Sequence, residues 1–450
     1  MNSSAASPFS RRRFLTAASS GFGHLAFAAL AHRQTANAAT HFAPRARRVI
    51  FLCMRGAPSH VDTLDFKPKL IADTGKPGRR EGTRLLGSRW KFSQHGNSGL
   101  WISSLLPELA RHADDLCILN GMTTDLPAHP QAFLKMHTGS SQFVRPSLGA
   151  WAHYGLGSLN ENVPGFITIT PPSGYGGAQN YGSAFLPAVH QATRIGADLL
   201  PISKAELPNL KPRQSAVEQR DDLDLIQSLN RSSLVRGGAT AQVEGVTESF
   251  ELAYRMQQQM PAVMDLSKEN AATQKLYGIG EATTDDFGRK CLLARRMVEA
   301  GVRFVEITHG NWDHHFNLGN ALPESCASVD KPVAGLLADL KSRGLLKDTL
   351  VIWSGEFGRT PHAEGADGRD HNVAGFSLWM AGGGVKAGYT HGRTDDYGYE
   401  AVDGKVSIHD WQATILHLLG LDHEKLTYRH AGRDFRLTDI HGAVVRGIVG

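Results

Sequence analysis

Three apolar runs that each break off into polar and charged residues dominate the pattern of this chain. Val49–Met54 leads into Arg55–Asp62, Val302–Ile307 into Thr308–His315, and Thr349–Trp353 into Ser354–Arg359. Short continuous apolar runs bounded by such breaks read as strands buried on both faces. Leu116–Leu119, Phe166–Thr170 and Phe376–Met380 belong to the same class. Helices are predicted from Ser103 or Ser104 to His112 and over His129–His137, Ser215–Asn230 and Thr247–Gln259. Three more are predicted over Asp285–Ala300, Pro332–Gly344 and Ile408–Leu419, with Gly301 and Gly420 as stops. Lys67–Gly99 reads as an irregular excursion, and Pro171–Gly177 as a structural glycine loop without Walker or dinucleotide spacing. The alternation predicts an α/β fold, a mainly parallel central sheet with helices on both faces. Residues 201–300 are expected to form a helical insertion packed on the sheet or covering a site.

Composition narrows the setting. The chain has 450 residues and a formal charge of +5, of which Arg11, Arg12, Arg13 and Arg33 supply four within residues 1–38, so the remainder carries about +1. The basic balance therefore gives no reason to expect a nucleic-acid partner. Ser10-Arg-Arg-Arg-Phe-Leu15, the soft apolar stretch Ala17–Ala31 and the small residues Ala36-Asn-Ala38 occur in the order of a twin-arginine export signal. This predicts a signal over 1–38, a domain over 39–450, and a periplasmic or extracellular protein. No other run has the length of a membrane span. Cys53, Cys117, Cys291 and Cys326 show no metal-type spacing. Cys53 and Cys117 fall inside apolar runs and are expected as buried thiols, which leaves room for one disulfide.

The polar breaks hold the candidate chemistry. Ligands of open α/β sheets bind at the carboxyl ends of strands, where residues distant in sequence meet. Asp313, His314 and His315 follow one strand, Glu356 and Arg359 another, and Arg369, Asp370 and His371 precede a third. Acids and imidazoles gathered in one crevice repel or stay poorly solvated without a cation. A mixed oxygen and nitrogen set suits zinc, manganese or iron better than copper. Two ions about 3.5 to 4 Å apart would clamp the attacking and leaving oxygens of a phosphoryl- or sulfuryl-type transfer. Arg55, Lys135, Arg359 and Arg369 are candidate oxyanion binders. His409 and Asp410 open the last helix, where an acid caps the first turn.

Several segments together carry a family resemblance. They are Arg55–Pro68, Met136-His-Thr-Gly139, Trp312-Asp-His-His-Phe-Asn317, Trp353-Ser-Gly-Glu-Phe-Gly-Arg-Thr-Pro361, Gly368-Arg-Asp-His-Asn372, Asp410–Gly420 and Ala431–Asp439. The chain resembles the exported bacterial family labelled domain of unknown function 1501, grouped with the alkaline phosphatase and sulfatase superfamily. That resemblance implies an alkaline phosphatase-like fold, with Asp313, His315 and His371 at one metal site. Glu356 stands where the superfamily has an acid, but Phe357 stands where it has an imidazole. Arg55-Gly56 occupies the place of an acidic ligand, for which His60 or Asp62 would substitute. Counting ten positions back from Gly139 places His129 at the sulfatase nucleophile, as a nucleophile, a metal ligand or a relic.

The expected protein is an exported metal-dependent hydrolase of sulfate or phosphate esters. Its metal residues would be Asp313, His315, Glu356, Asp370 and His371, with His129 and Arg359 catalytic. The cofactor would be divalent zinc, manganese or calcium, and the substrate a small-molecule or glycan ester. The alternative is a catalytically degenerate scaffold that binds a glycan or an envelope partner. A redox enzyme is disfavoured, because neither a dinucleotide fingerprint nor a haem or iron–sulfur cysteine motif occurs.

Overall fold

In the computed structural model, which describes residues 40–450 except 206, 208–209, 211–213 and 238–240, the first apolar run forms β1 (Arg48–Met54). The twin-arginine segment lies outside the described residues. Alternate residues of β1 enter two separate cores: Ile50, Leu52 and Met54 on one face, Val49, Phe51 and Cys53 on the other. A strand buried on both faces must be apolar at every position, which is why the sequence shows a run and not an alternation.

β1 lies inside a nine-stranded sheet. Its other strands are β2 (Leu116–Thr123), β3 (Phe166–Ile169), β4 (Thr193–Ile195), β5 (Phe304–His309), β6 (Thr349–Ser354), β7 (Phe376–Ala381), β8 (Tyr389–His391) and β9 (Val406–Ser407). The order is β8-β2-β7-β6-β1-β5-β3-β4, with β9 also on β2. Every pairing is parallel except those of β7, which runs against both β2 and β6. The reversal matters for the site. Parallel strands deliver the residues that follow them to the carboxyl edge, whereas β7 delivers the residues that precede it, Arg369–Asn372.

Helices cover both faces. α1 (His129–Thr138), α2 (Leu148–Leu156) and α7 (Ile408–Leu418) place Phe133, Met136, Trp151, Trp411 and Ile415 in one core. α5 (Asp285–Glu299) and α6 (Leu318–Ser342) fill the other with Leu292, Met297, Leu322 and Leu336. The insertion forms α3 (Ala216–Gly237) and α4 (Ala241–Met264), joined by Arg220 and Glu251 at 2.9 Å. Met256 and Met260 of α4 enter the same core as α5, so the insertion packs there.

Three local expectations are corrected. Leu100–Ser103 is a strand paired antiparallel with Phe92–His95, and the following turn is a 3-10 helix over Leu109–Asp115. The excursion is thus partly ordered by main-chain pairing. α6 begins at Leu318 rather than Pro332 and runs through both Pro323 and Pro332, because its apolar face against the sheet outweighs the two lost amide donors. All four cysteines are free and buried, so there is no disulfide. Burial pushes the Cys117 thiol up to about 12. Among the described residues, no helix is long and apolar enough to cross a membrane.

One buried and one half-buried imidazole predict acid lability. His153 of α2 packs its ring 4.9 Å from that of His190, and neither Nδ1 has a hydrogen-bond partner. Burial lowers the pKa of His153 to about 3 and that of His190 to about 4. The unfolded chain binds these protons near pH 6.5 and the native state does not, so stability is complete above that pH and falls below it. Between pH 7 and pH 5 each imidazole is expected to remove about 2 kcal/mol. Urea unfolding at the two pH values measures this; an unchanged midpoint contradicts it.

Candidate metal centre

The carboxyl edge of the sheet brings four of the expected residues together. One ligand atom from each of His129, Asp313, His315 and His371 lies within 4.8 Å of the others. His129 starts α1 after β2, Asp313 and His315 sit on the loop after β5, and His371 precedes β7. The β5 loop is fixed by Trp312, fully buried, whose Nε1 donates to His309 Nδ1 at 2.9 Å. His309 Nε2 in turn lies 3.1 Å from Ser328 Oγ on α6. His314 is buried with its Nε2 3.4 Å from Ser325 Oγ. Burial lowers the pKa of His309 to about 3 and that of His314, with a contribution from Arg359, to about 4. Of His309, His314 and His315, His315 alone belongs to the cluster.

Each cluster imidazole is oriented from behind through Nδ1. His129 Nδ1 donates to Glu356 Oε1 at 2.6 Å, His315 Nδ1 to Glu364, and His371 Nδ1 to the Pro127 carbonyl at 2.5 Å. Neutral rings held this way keep their lone pairs on Nε2, and all three Nε2 atoms face inward. His129 Nε2 is 3.1 Å and His315 Nε2 2.9 Å from Asp313 Oδ1, while His315 and His371 meet Nε2 to Nε2 at 2.9 Å. Two acceptors at that distance repel unless a proton or a cation lies between them. His129 Nε2 is buried and has no hydrogen bond despite its nearness to Asp313. Three imidazole nitrogens and a carboxylate, each imidazole carrying an outer acceptor, form a donor set that fits a divalent ion such as zinc.

Charge at the centre is concentrated. Arg359 is 1% exposed, contacts Asp313, and donates to the carbonyls of Ala57 at 3.2 Å and Arg369 at 3.1 Å. Burial alone would raise the Asp313 pKa, but His129, His371 and Arg359 outweigh it and hold the carboxyl well below its usual range. Burial likewise opposes protonation of His129, and Asp313 and Glu356 outweigh it, so its pKa is raised. The Asp313 side chain is 38% exposed, which leaves the cluster open on one side.

Glu356, expected to complete or bridge the metal set, instead stands behind it. It is fully buried and accepts from Gly56 N at 3.0 Å and from His129. Gly56 has φ +106°, and a Cβ there would lie 2.6 Å from Asp313 N, so the β1 loop reaches the site only as glycine. Asp370 belongs to a neighbouring group with His315 and Glu364, and its own carboxylate pairs with Arg80 at 3.3 Å. Phe357 is buried with its ring 4.6 Å from that of His129 and 4.5 Å from that of His371, forming an apolar wall.

Neither substitute for an acid after β1 reaches the cluster. His60 bonds the Gly398 carbonyl at 2.9 Å, and Asp62 forms a buried two-pronged pair with Arg369. Arg369 is consequently no oxyanion binder, and Lys135 pairs with Asp125. Arg55 pairs with Asp198 at 3.0 Å and lies over the ring of Tyr175, which is 5.5 Å from the His129 ring. Asp410 caps α7 as expected, in a reciprocal box with Ser407. Sequence reasoning missed Glu364 and Tyr175. Glu364 carries no motif, and the glycine loop holding Tyr175 has no Walker or dinucleotide spacing to mark it as part of a site.

A family model described as "Protein of unknown function (DUF1501)" matches residues 46–449. No curated protein sequence matches the chain. Similar solved structures include the PsFucS1 sulfatase from Pseudoalteromonas sp., 13% identical, covering 95% of this chain and 75% of that one at a TM-score of 0.39. The lipoteichoic acid synthase LtaP from Listeria monocytogenes is 11% identical, with 91% and 78% covered, at 0.39. The zinc complex of the periplasmic domain of EptC from Escherichia coli is 10% identical, with 86% and 87% covered, at 0.37.

Proposed function

This chain belongs to the DUF1501 family, and from that membership and the site geometry we propose that it is an exported metal-dependent hydrolase of phosphate or sulfate esters. The supporting observation is the convergence of three Nδ1-anchored imidazoles on the Asp313 carboxylate. His129, Asp313, His315 and His371 would hold the ion. When bound, it supplies Lewis-acid charge to the oxygens of an anionic ester. The chain contributes the rest. Arg359, buried and held by main-chain carbonyls and Asp313, adds fixed positive charge beside the cluster, which favours an anionic ester through its field rather than by direct contact. Phe357 keeps water from the inner side of the imidazoles, and the exposed edge of Asp313 marks where substrate arrives. The histidine at the nucleophile position is taken up by the cluster, so water serves as the attacking group. The arginine motif of Ser10–Leu15 supports export to the periplasm or beyond.

One observation favours the scaffold reading: the superfamily's hydroxyl and second imidazole are replaced by His129 and Phe357. The two readings separate on turnover. Purified full-length protein dialysed with zinc, manganese or calcium is expected to retain a divalent ion by elemental mass spectrometry. It is expected to hydrolyse 4-nitrophenyl phosphate or sulfate until chelated. At an ion concentration 100 times Kd, unfolding free energy should rise by about 2.7 kcal/mol. A protein that takes up none of the three ions overturns the proposal; one that binds metal without turnover favours the scaffold.

A further inference from the structure

A groove of about 700 Å³ opens between residues 74–86, from the excursion after β1, and residues 362–366 with Asp370. Two of its lining acids, Glu364 and Asp370, group with His315, so the groove lies beside the metal cluster. Its two walls are tied main chain to main chain. Leu86 N donates to the Pro361 carbonyl at 2.9 Å and Ala363 N to that of Arg84 at 2.8 Å. The shape is thus present before any ligand arrives, at a volume within the usual range of ligand sites, about 300–1,000 Å³.

The lining chemistry narrows the occupant. Arg80 and Arg84 supply cationic donors, Glu81 and Glu364 supply acceptors, and Thr83 supplies a hydroxyl. The larger apolar side chains there are Leu85, only 6% exposed, and Leu86. An aryl or acyl leaving group would find no large exposed apolar side chain to pack on, and a densely charged polyanion would meet three carboxylates. Hydroxyls, which donate and accept at once, match closely mixed donors and acceptors. Phe316, next in the chain to His315, is 78% exposed and offers the kind of aromatic face on which a pyranose ring packs.

We propose that this groove binds the leaving group of the substrate as an oligosaccharide, sparsely sulfated or phosphorylated, whose ester lies at the cluster. The assignment rests on the hydrolase reading for the role of the ester, but the groove can be tested without turnover. The probes are an array of singly sulfated and singly phosphorylated oligosaccharides, and 4-nitrophenyl sulfate and phosphate as esters too short to enter the groove. The variants are Ala366→Trp, which fills the groove, and Arg84→Ala, which empties one wall; neither residue belongs to the cluster. Wild type is expected to bind members of the array, and both variants to lose about tenfold or more in affinity while aryl-ester turnover stays within about twofold. A blank array, or variants that bind as wild type does, overturns the groove assignment. So does a parallel fall in aryl turnover, which would mark a purely structural effect. Groove-dependent binding without any ester turnover keeps the groove as a glycan site and sinks the hydrolase reading alone.

Discussion

Replacing Asp313 with alanine is expected to abolish stoichiometric metal binding and, with it, ester turnover. The carboxylate is the one anion among the four cluster ligands, and it faces all three Nε2 atoms. Removing an outer-shell partner of a metal ligand costs about 10–100-fold in affinity. Removing the charged ligand itself should exceed that, so the loss is set at more than about 100-fold. Glu356→Gln and Glu364→Gln, which loosen His129 and His315 without touching the ion, should fall within the 10–100-fold range. The graded series is the informative part. If Asp313 served merely as the ion-pair partner of Arg359, its removal would destabilise the fold and leave metal uptake unaltered. Arg359 keeps its carbonyl acceptors in the variant, so the protein is expected to remain folded. Titration with zinc followed by calorimetry, alongside circular dichroism, distinguishes the two outcomes.

Asp62→Ala should produce the largest loss of stability. Asp62 and Arg369 are both fully buried, with Nε–Oδ2 at 2.6 Å and Nη2–Oδ1 at 3.1 Å. Arg369 also donates to the carbonyls of Thr360 and Leu86 at 2.9 Å, and Ser59 Oγ donates to Asp62 at 2.6 Å. Every polar atom of the pair is therefore engaged. Removing one partner of a buried pair leaves an uncompensated charge, at about 3–5 kcal/mol. The consequence reaches the site, because Arg369 lies two residues before His371 and fixes the segment that presents it. Denaturant unfolding and metal affinity are expected to fall together in this variant. A change below about 1 kcal/mol would show that water reaches Arg369 and that the pair is dispensable.

Much of the candidate site was legible before the fold was known. Asp313, His315 and His371 stand beside apolar runs, and strand ends are where an α/β sheet exposes its chain. His129 stands out through the family resemblance, which implies a functional residue ten positions before Gly139, the glycine at a helix end with φ +71°. Roles were less legible than places. Glu356 sits in a strong motif, yet its distance to the cluster depends on how β1 and β6 lie side by side. Glu364 is an unremarked acid on a loop, and its bond to His315 spans 49 residues. Arg369 reads as a candidate oxyanion binder, because local sequence does not reveal that Asp62 is folded beneath it.

By itself the sequence determined six of the nine sheet strands, most helices, the burial of Cys53 and Cys117 and the edge of the sheet at which chemistry collects. These follow from the local periodicity of apolar residues, which each segment carries alone. Only the tertiary structure decided that β7 runs against its neighbours, that α6 continues through two prolines, and which imidazole nitrogens face inward. Those outcomes rest on contacts between segments tens to hundreds of residues apart, where burial and paired charge outweigh local preference.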